Sequence, residues 1–150
     1  MVLPYEHQII SNTAKIVSLH DRIHETWKYR DRSEKEWKIW EQACKEFHCQ
    51  YNDLAFLGGI NGVRSRLRSG DQEAITYALS FLEIRPYFFR SGYIYKDLVR
   101  VLRNCPLSST QKEQYLAIRE RYTQFLHTRK LSKTILYIVI VAISVPCLHC

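Results

Sequence analysis

Four side chains that can bind metal ions form two pairs near the N-terminus. His20 and His24 in "HDRIHE" are four residues apart, and Cys44 and His48 have the same spacing. Residues four apart share one face of a helix, so two such pairs on antiparallel helices could close a tetrahedral zinc site. Cys44 also falls on an apolar stripe, where free cysteine packs as a small hydrophobic residue. The packing interpretation is favoured, and we predict no metal and no cofactor.

A second candidate site is the aromatic stretch "RPYFFRSGYIYKDL", residues 85–98. Arginines beside exposed aromatic rings can hold an anionic or aromatic partner. The residues that we predict to bind a partner are Arg85, Tyr87, Arg90, Tyr93 and Tyr95.

The same stretch is predicted to form a corner between two helices. Pro86 disfavours helix at the residue before it, and Ser91 can cap the next helix. Phe88 and Phe89 are then expected to pack the two helices together, because aromatic side chains dominate cores. The three tyrosines of the predicted binding site are expected to keep their hydroxyls in water.

Motifs for catalysis are missing from the sequence. There is no G-x-S-x-G, no paired carboxylates stand out, and the glycines of "FLGGINGVRSR" match neither the dinucleotide-binding pattern nor the P-loop. We predict no catalytic residues, and an enzyme of unrecognised type stays an alternative.

Positive charge is concentrated in the second part of the chain, whose overall formal charge is +7. Residues 1–60 hold eight Lys/Arg against nine Asp/Glu, whereas residues 61–150 hold fourteen against six. Such asymmetry is typical of contact with an anionic membrane surface or with nucleic acid. Arg64, Arg66 and Arg68 form no known docking motif, so nucleic-acid binding is the less favoured alternative.

Apolar periodicity predicts an all-α domain. One stripe recurs at intervals of three and four residues, which is helical spacing, and consists of Trp37, Trp40, Cys44, Phe47, Tyr51 and Leu54. An earlier stripe (Ile16, Leu19, Ile23 and Trp27) predicts a preceding helix, so that the two would form an antiparallel hairpin with a Trp-rich seam. Stacked helix pairs, similar to a helical repeat, are expected to follow.

Polar residues just before these stripes predict where the helices begin. The first helix is expected to start at Ser11 or Asn12, and another is expected to start after Asp71. Two pairs have the spacing of a capping box, in which two side chains bind each other's backbone N–H groups: Ser33 with Glu36, and Thr110 with Glu113.

The last segment, 131–150, is separate from the predicted domain 1–130. It follows basic residues and includes the uncharged run "TILYIVIVAISVPCL", residues 134–148, which is shorter than the roughly 20 residues of a typical spanning helix. Membrane anchoring is the favoured interpretation; a buried core helix and a strand or disordered end are the alternatives. The terminal "CLHC" is a poor prenylation box, because His149 occupies an aliphatic position. Palmitoylation of Cys147 or Cys150 is more plausible, but these cysteines would lie on the wrong side if the segment spans the membrane.

The cysteines and the N-terminus indicate a reducing compartment. The cysteine count of five is odd, and "MVLPYEHQII" lacks the basic and apolar regions of a signal peptide. We therefore expect a cytoplasmic domain attached to the cell membrane by its C-terminal segment.

From Phe47 to Tyr122, "FHCQYNDLAFLGG", "GDQEAITYALSFLEIRPYFFRSGY" and "KDLVRVLRNCPLSSTQ" follow in order. Together they resemble a family of short bacterial helical proteins of unassigned activity, with "FLExxPxFFRSGY" the most specific piece. The resemblance implies an all-helical domain and no catalytic residues. We expect a non-enzymatic interaction or scaffold protein with an unidentified protein partner.

Overall fold

The computed structural model describes residues 2–144 and is all-helical, which confirms the predicted fold class. Its six helices are α1 (Glu6–Trp27), α2 (Glu34–Ala55), α3 (Val63–Arg68), α4 (Gln72–Ile84), α5 (Ser91–Leu102) and α6 (Ser109–Ser144). Residues 2–144 contain no strand. The strand alternative for the apolar segment is therefore wrong for its described part, residues 134–144.

Helices α1 and α2 pack along each other. Arg22 pairs with Glu46, and the ring of His20 lies 5.6 Å from that of Phe47. The buried side chains of α2 are Ala43, Phe47 and Ala55. The seam is less rich in Trp than expected, since Trp27 and Trp37 are each about half exposed.

The N-cap of helix α1 lies six residues before Ser11, the earlier of the two predicted N-caps, Ser11 and Asn12. Its N-cap is Tyr5, in the left-handed conformation at φ 61°, and Tyr5 makes no side-chain capping bond. Ile9 is buried together with Ile16, seven residues later on the same face. The first helical turns therefore form because burial of Ile9 outweighs the missing polar cap.

Helix α4 is the centre of the core. Asp71 caps it as predicted, because its carboxylate accepts hydrogen bonds from the N–H groups of Glu73 and Ala74. All eight residues from Ala74 to Leu82 other than Thr76 are buried. Helices α1, α3, α5 and α6 all contact it.

The corner between α4 and α5 spans Arg85 to Arg90, and both of these residues have positive φ, at 53° and 65°. Arg90, not the predicted Ser91, is the N-cap of α5. Ser91 is the first helical residue, and its hydroxyl accepts a hydrogen bond from the Phe88 N–H at 3.1 Å. Ser91 thus stabilises the corner from inside the helix.

Helix α6 begins at a capping box two residues before the predicted one. The Ser108 hydroxyl accepts from the Gln111 N–H at 3.2 Å, and the Gln111 side chain accepts from the Ser108 N–H at 2.9 Å. Tyr115 and Ile118 then enter the core. The predicted box of Thr110 with Glu113 is wrong, because both lie inside the helix that Ser108 caps.

The second part of α6 extends away from the core. The side chains of Ile135, Leu136, Tyr137, Ile138, Val139 and Val141 are all exposed. The alternative of a buried core helix is therefore wrong for these residues. Within residues 2–144, no helix combines the length and the apolar character needed to cross a bilayer. Pro146, Cys147 and Cys150, on which the lipidation hypotheses depend, lie outside the described residues.

Candidate binding groove

A groove of about 780 Å³ opens between α1, the α4–α5 corner and α6, and we call it the corner groove. Helix α1 supplies Val17, His20 and Asp21; the corner and α5 supply Arg85, Pro86, Tyr87, Phe88, Phe89, Arg90, Ser91, Gly92, Tyr93, Tyr95 and Lys96; α6 supplies Tyr122, Phe125, Leu126 and Arg129.

All five residues predicted to bind a partner line this groove. Tyr87 and Tyr93 stand at its rim with 91% and 74% of their surface exposed. Tyr95 differs from the expectation of an exposed hydroxyl: it is only 8% exposed, and burial raises its pKa although Arg85 opposes the shift.

Arg85 joins the corner to α6. Its guanidinium carbon lies 4.0 Å from the centre of the Phe125 ring and 5.3 Å from that of Tyr95. These distances are within the range of cation–π attraction, so Arg85 is held against the groove wall.

Phe88 and Phe89 have different neighbours. Phe88 is buried, and its ring lies edge-on to that of Phe81 at 6.1 Å. Phe89 is 42% exposed and stacks on His20 at 4.8 Å, while its carbonyl accepts a 2.8 Å hydrogen bond from the Tyr51 hydroxyl. Phe88 therefore packs α4 as predicted, whereas Phe89 attaches the corner to α1 and α2.

The groove carries an excess of positive charge. Arg85, Arg90, Lys96 and Arg129 line it, and Asp21 is the one carboxylate among its described lining residues. Within residues 2–144, no ion pair involves any of these four cations. The groove is therefore suited to a ligand that is anionic.

Several other arginines are paired with carboxylates instead. Arg64 and Arg100 both bond to Asp97. Burial alone would raise the pKa of Asp97, but these bonds together hold it below its usual value. Arg66 bonds to Asp71, and Arg121 bonds to Glu83. The basic segment "RSRLR", on which the nucleic-acid alternative depends, thus uses two of its three arginines within the fold.

The four candidate metal ligands are not assembled into a site. His20 and His24 contact each other with ring centres 4.7 Å apart, but His20 stacks on Phe89. His48 is exposed, and Cys44 is partly buried. Among residues 2–144, no group of three or more His, Cys, Asp or Glu is placed to hold a metal ion.

Sequence reasoning missed the walls that α1 and α6 contribute. Tyr122 and Phe125 stand on an apolar stripe, so periodicity assigned them to the core. Tyr122 does contact Tyr95, at 5.1 Å between ring centres, but it also faces the groove. Periodicity identifies the apolar face of a helix. Only the packing of the helices shows which part of that face is buried and which part lines the groove.

The described lining of the groove combines aromatic rings with positively charged side chains. Aromatic rings beside unneutralised guanidinium groups suit a ligand with an anionic group next to an apolar one. No protein-family model, curated protein or solved structure matches this chain.

Proposed function

We propose that this chain is a non-enzymatic interaction protein, attached to the cytoplasmic face of a membrane by α6, with the corner groove as its binding site. The observation that carries the proposal is that one continuous helix, α6, forms part of the groove and also contains the exposed apolar segment. Helix α6 lines the groove with Tyr122 to Arg129 and continues into the exposed apolar residues 134–141.

The exposed end of α6 has the character of a membrane-inserting segment. A helix that is apolar on all sides needs an apolar environment, because exposed apolar surface is unfavourable in water. Arg129, Lys130 and Lys133 precede the apolar residues. Basic residues at this position favour an anionic cytoplasmic surface, by about 1 kcal/mol each.

The uncharged run, residues 134–148, is shorter than the roughly 20 residues of a typical spanning helix, so the proposal is insertion and not a full crossing. The proposed attachment is therefore an apolar helix end that enters the membrane beside the protein.

The remainder of the chain acts, in this proposal, as the scaffold that presents the groove. The contacts between α1 and α2 support a helical hairpin, and those of α3, α4 and α5 support a stacked helical unit. The resemblance to short bacterial helical proteins agrees with this arrangement and stays a part of the proposal.

Vesicle flotation tests the attachment. Full-length protein should float with lipid vesicles, and the double variant Ile135→Asp, Val139→Asp should not. A carboxylate costs about 2.5–3.5 kcal/mol at the centre of a bilayer and less near its boundary, so the two together should reduce binding by more than about tenfold, with most of the loss from the deeper Val139→Asp. Both side chains are exposed, so the thermal melt of the helical body should not change.

Leu116→Asp is the matched control. Leu116 is exposed on the same helix but beside the core, so its substitution should leave flotation intact. Full-length protein that stays out of the lipid fraction, or a double variant that floats like the unmodified chain, would contradict the proposal.

A further inference from the structure

We propose that the corner groove binds the phosphate of an anionic phospholipid in the membrane that α6 enters. The inference rests on the proposed function and extends it by naming the ligand. The proposed ligand is a lipid of the bilayer that α6 enters. Such a lipid can reach the groove because α6 both lines the groove and contains the inserted segment.

The first argument is depth. Arg129 lines the groove and precedes Thr134, the first residue of the apolar run, by five positions, which is about 7.5 Å along a helix. The headgroup layer of one leaflet is about 5–7 Å thick. With Thr134 at the hydrocarbon boundary and α6 perpendicular to the membrane, the backbone of Arg129 lies at the outer edge of this layer, within reach of the lipid phosphates for its long side chain.

The second argument is charge. Arg90 reaches the groove from the corner, Lys96 from α5 and Arg129 from α6, so the cations come from three different elements. No carboxylate within residues 2–144 forms an ion pair with any of them. A guanidinium group matches two phosphate oxygens at once, which makes phosphate the expected ligand of Arg90 and Arg129.

The third argument is the position of the aromatic and apolar side chains. Tyr87 and Tyr93 are highly exposed at the groove rim, where water is a poor partner for their rings. Tyrosine is enriched at membrane interfaces because its ring is apolar and its hydroxyl polar. Phe125 and Leu126 line the groove on the helix that continues into the apolar run, and they provide an apolar wall for the glycerol and first acyl carbons.

Binding of full-length protein to two kinds of vesicle tests the inference. One kind contains phosphatidylcholine alone, and the other also contains phosphatidylglycerol. The measured quantity is the ratio of the two partition constants. For the unmodified chain, we expect this ratio to favour the anionic vesicles.

Arg129→Gln and Lys130→Gln form a matched pair. Both remove one positive charge from neighbouring positions of α6, but Lys130 is not among the residues lining the groove. General attraction to an anionic surface predicts an equal loss, about fivefold, for both. A phosphate held in the groove predicts a loss of at least about tenfold for Arg129→Gln and the general loss alone for Lys130→Gln.

Arg90→Gln supplies a second test from a different element. Arg90 is exposed, so its replacement should leave the thermal melt unchanged while it lowers the anionic preference. Because Arg90 and Arg129 would hold one phosphate, the loss in the double variant should be smaller than the product of the two single losses. Independent losses, or equal losses at Arg129 and Lys130, overturn the inference.

Two further outcomes identify a different occupant. Soluble glycerophosphoglycerol that binds the detergent-solubilised chain and depends on Arg129, with no Arg129-specific effect on vesicles, would assign the groove to a free phosphate compound and overturn the lipid assignment. A poly-glutamate peptide that binds the detergent-solubilised chain and depends on Arg129, with no Arg129-specific effect on vesicles, would assign it to an acidic protein segment. Flotation on phosphatidylcholine alone reports the attachment separately, so failure of the inference and failure of the proposed function are distinguishable.

Discussion

Phe88 and Phe89 show how side chains that are adjacent in the sequence acquire different roles. The corner places successive side chains in different directions, so one ring enters the core beside Phe81 and the other lies on His20. Residue type alone predicted that both would pack α4 against α5. Arg85 and Arg90, the residues at the two ends of the corner, both have positive φ.

Phe88→Ala and Phe89→Ala should differ in stability. Phe88 is buried, so its truncation should lower the free energy of unfolding by about 3–5 kcal/mol, as for other core aromatics. Phe89 is 42% exposed, and its truncation should cost less than half as much. Denaturant unfolding measures both values. Equal losses would contradict the division between the two rings.

The arginines divide in a similar way at the residue level. Arg64, Arg66, Arg100 and Arg121 are paired with carboxylates, which leaves the groove cations as a separate set. Composition reports the total charge of both sets together. Only the ion-pair geometry shows which cations are available to a ligand.

At the level of helices, caps were predictable where a polar residue stood directly before an apolar stripe. Ser33 accepts the Glu36 N–H at 3.2 Å, and Asp71 caps α4. The start of α6 offered several hydroxyls in "LSSTQKEQY", and spacing to an acidic residue selected the wrong one. Gln111 completes a capping box as well as Glu does, so Ser108 was an equally good candidate by residue type.

Ser108→Ala and Thr110→Ala test the position of this cap. Loss of the Ser108 hydroxyl leaves the Gln111 N–H without its acceptor and should lower the free energy of unfolding by about 1 kcal/mol. Thr110→Ala should change it by less than about 0.5 kcal/mol, since Thr110 is exposed within the first turn. Chemical denaturation measures the free energy of unfolding of both variants. A larger loss of stability in Thr110→Ala than in Ser108→Ala would support the capping box predicted from spacing.

For the whole molecule, Tyr77 reports on assembly of the core. Its ring lies 4.6 Å from that of Phe56, at the end of α2, and 5.4 Å from that of Tyr5, before α1. Burial raises the pKa of Tyr77 to about 12, from an ordinary value of 10.0. The folded chain therefore keeps a proton that the unfolded chain loses between these two pH values.

The stability of the protein should accordingly fall as pH rises from about 10 to about 12, and this contribution should be complete below pH 10. The slope from one such group reaches about 1.4 kcal/mol per pH unit. Tyr77→Phe should reduce the loss of stability per pH unit above pH 10, because the variant has no phenol to titrate. Tyr87→Phe, at an exposed site, is the control; an identical slope in Tyr77→Phe and the unmodified chain would contradict the burial effect.

The sequence by itself determined the helical class, the N-caps at Ser33 and Asp71, and the apolar character of the last segment. These are local properties: periodicity and capping depend on residues within a few positions of each other. It also marked Arg85, Tyr87, Arg90, Tyr93 and Tyr95, because they cluster in the chain.

Only the tertiary structure shows that the five predicted binding residues line a groove. The groove needs Val17 and His20 from α1 and Tyr122 to Arg129 from α6, which are distant from the corner in sequence and meet it only through packing around α4. It also decided that α6 continues without a break from the core to the apolar end. Neither the composition of the groove nor the course of α6 follows from a local sequence pattern, because periodicity does not show which helices contact each other.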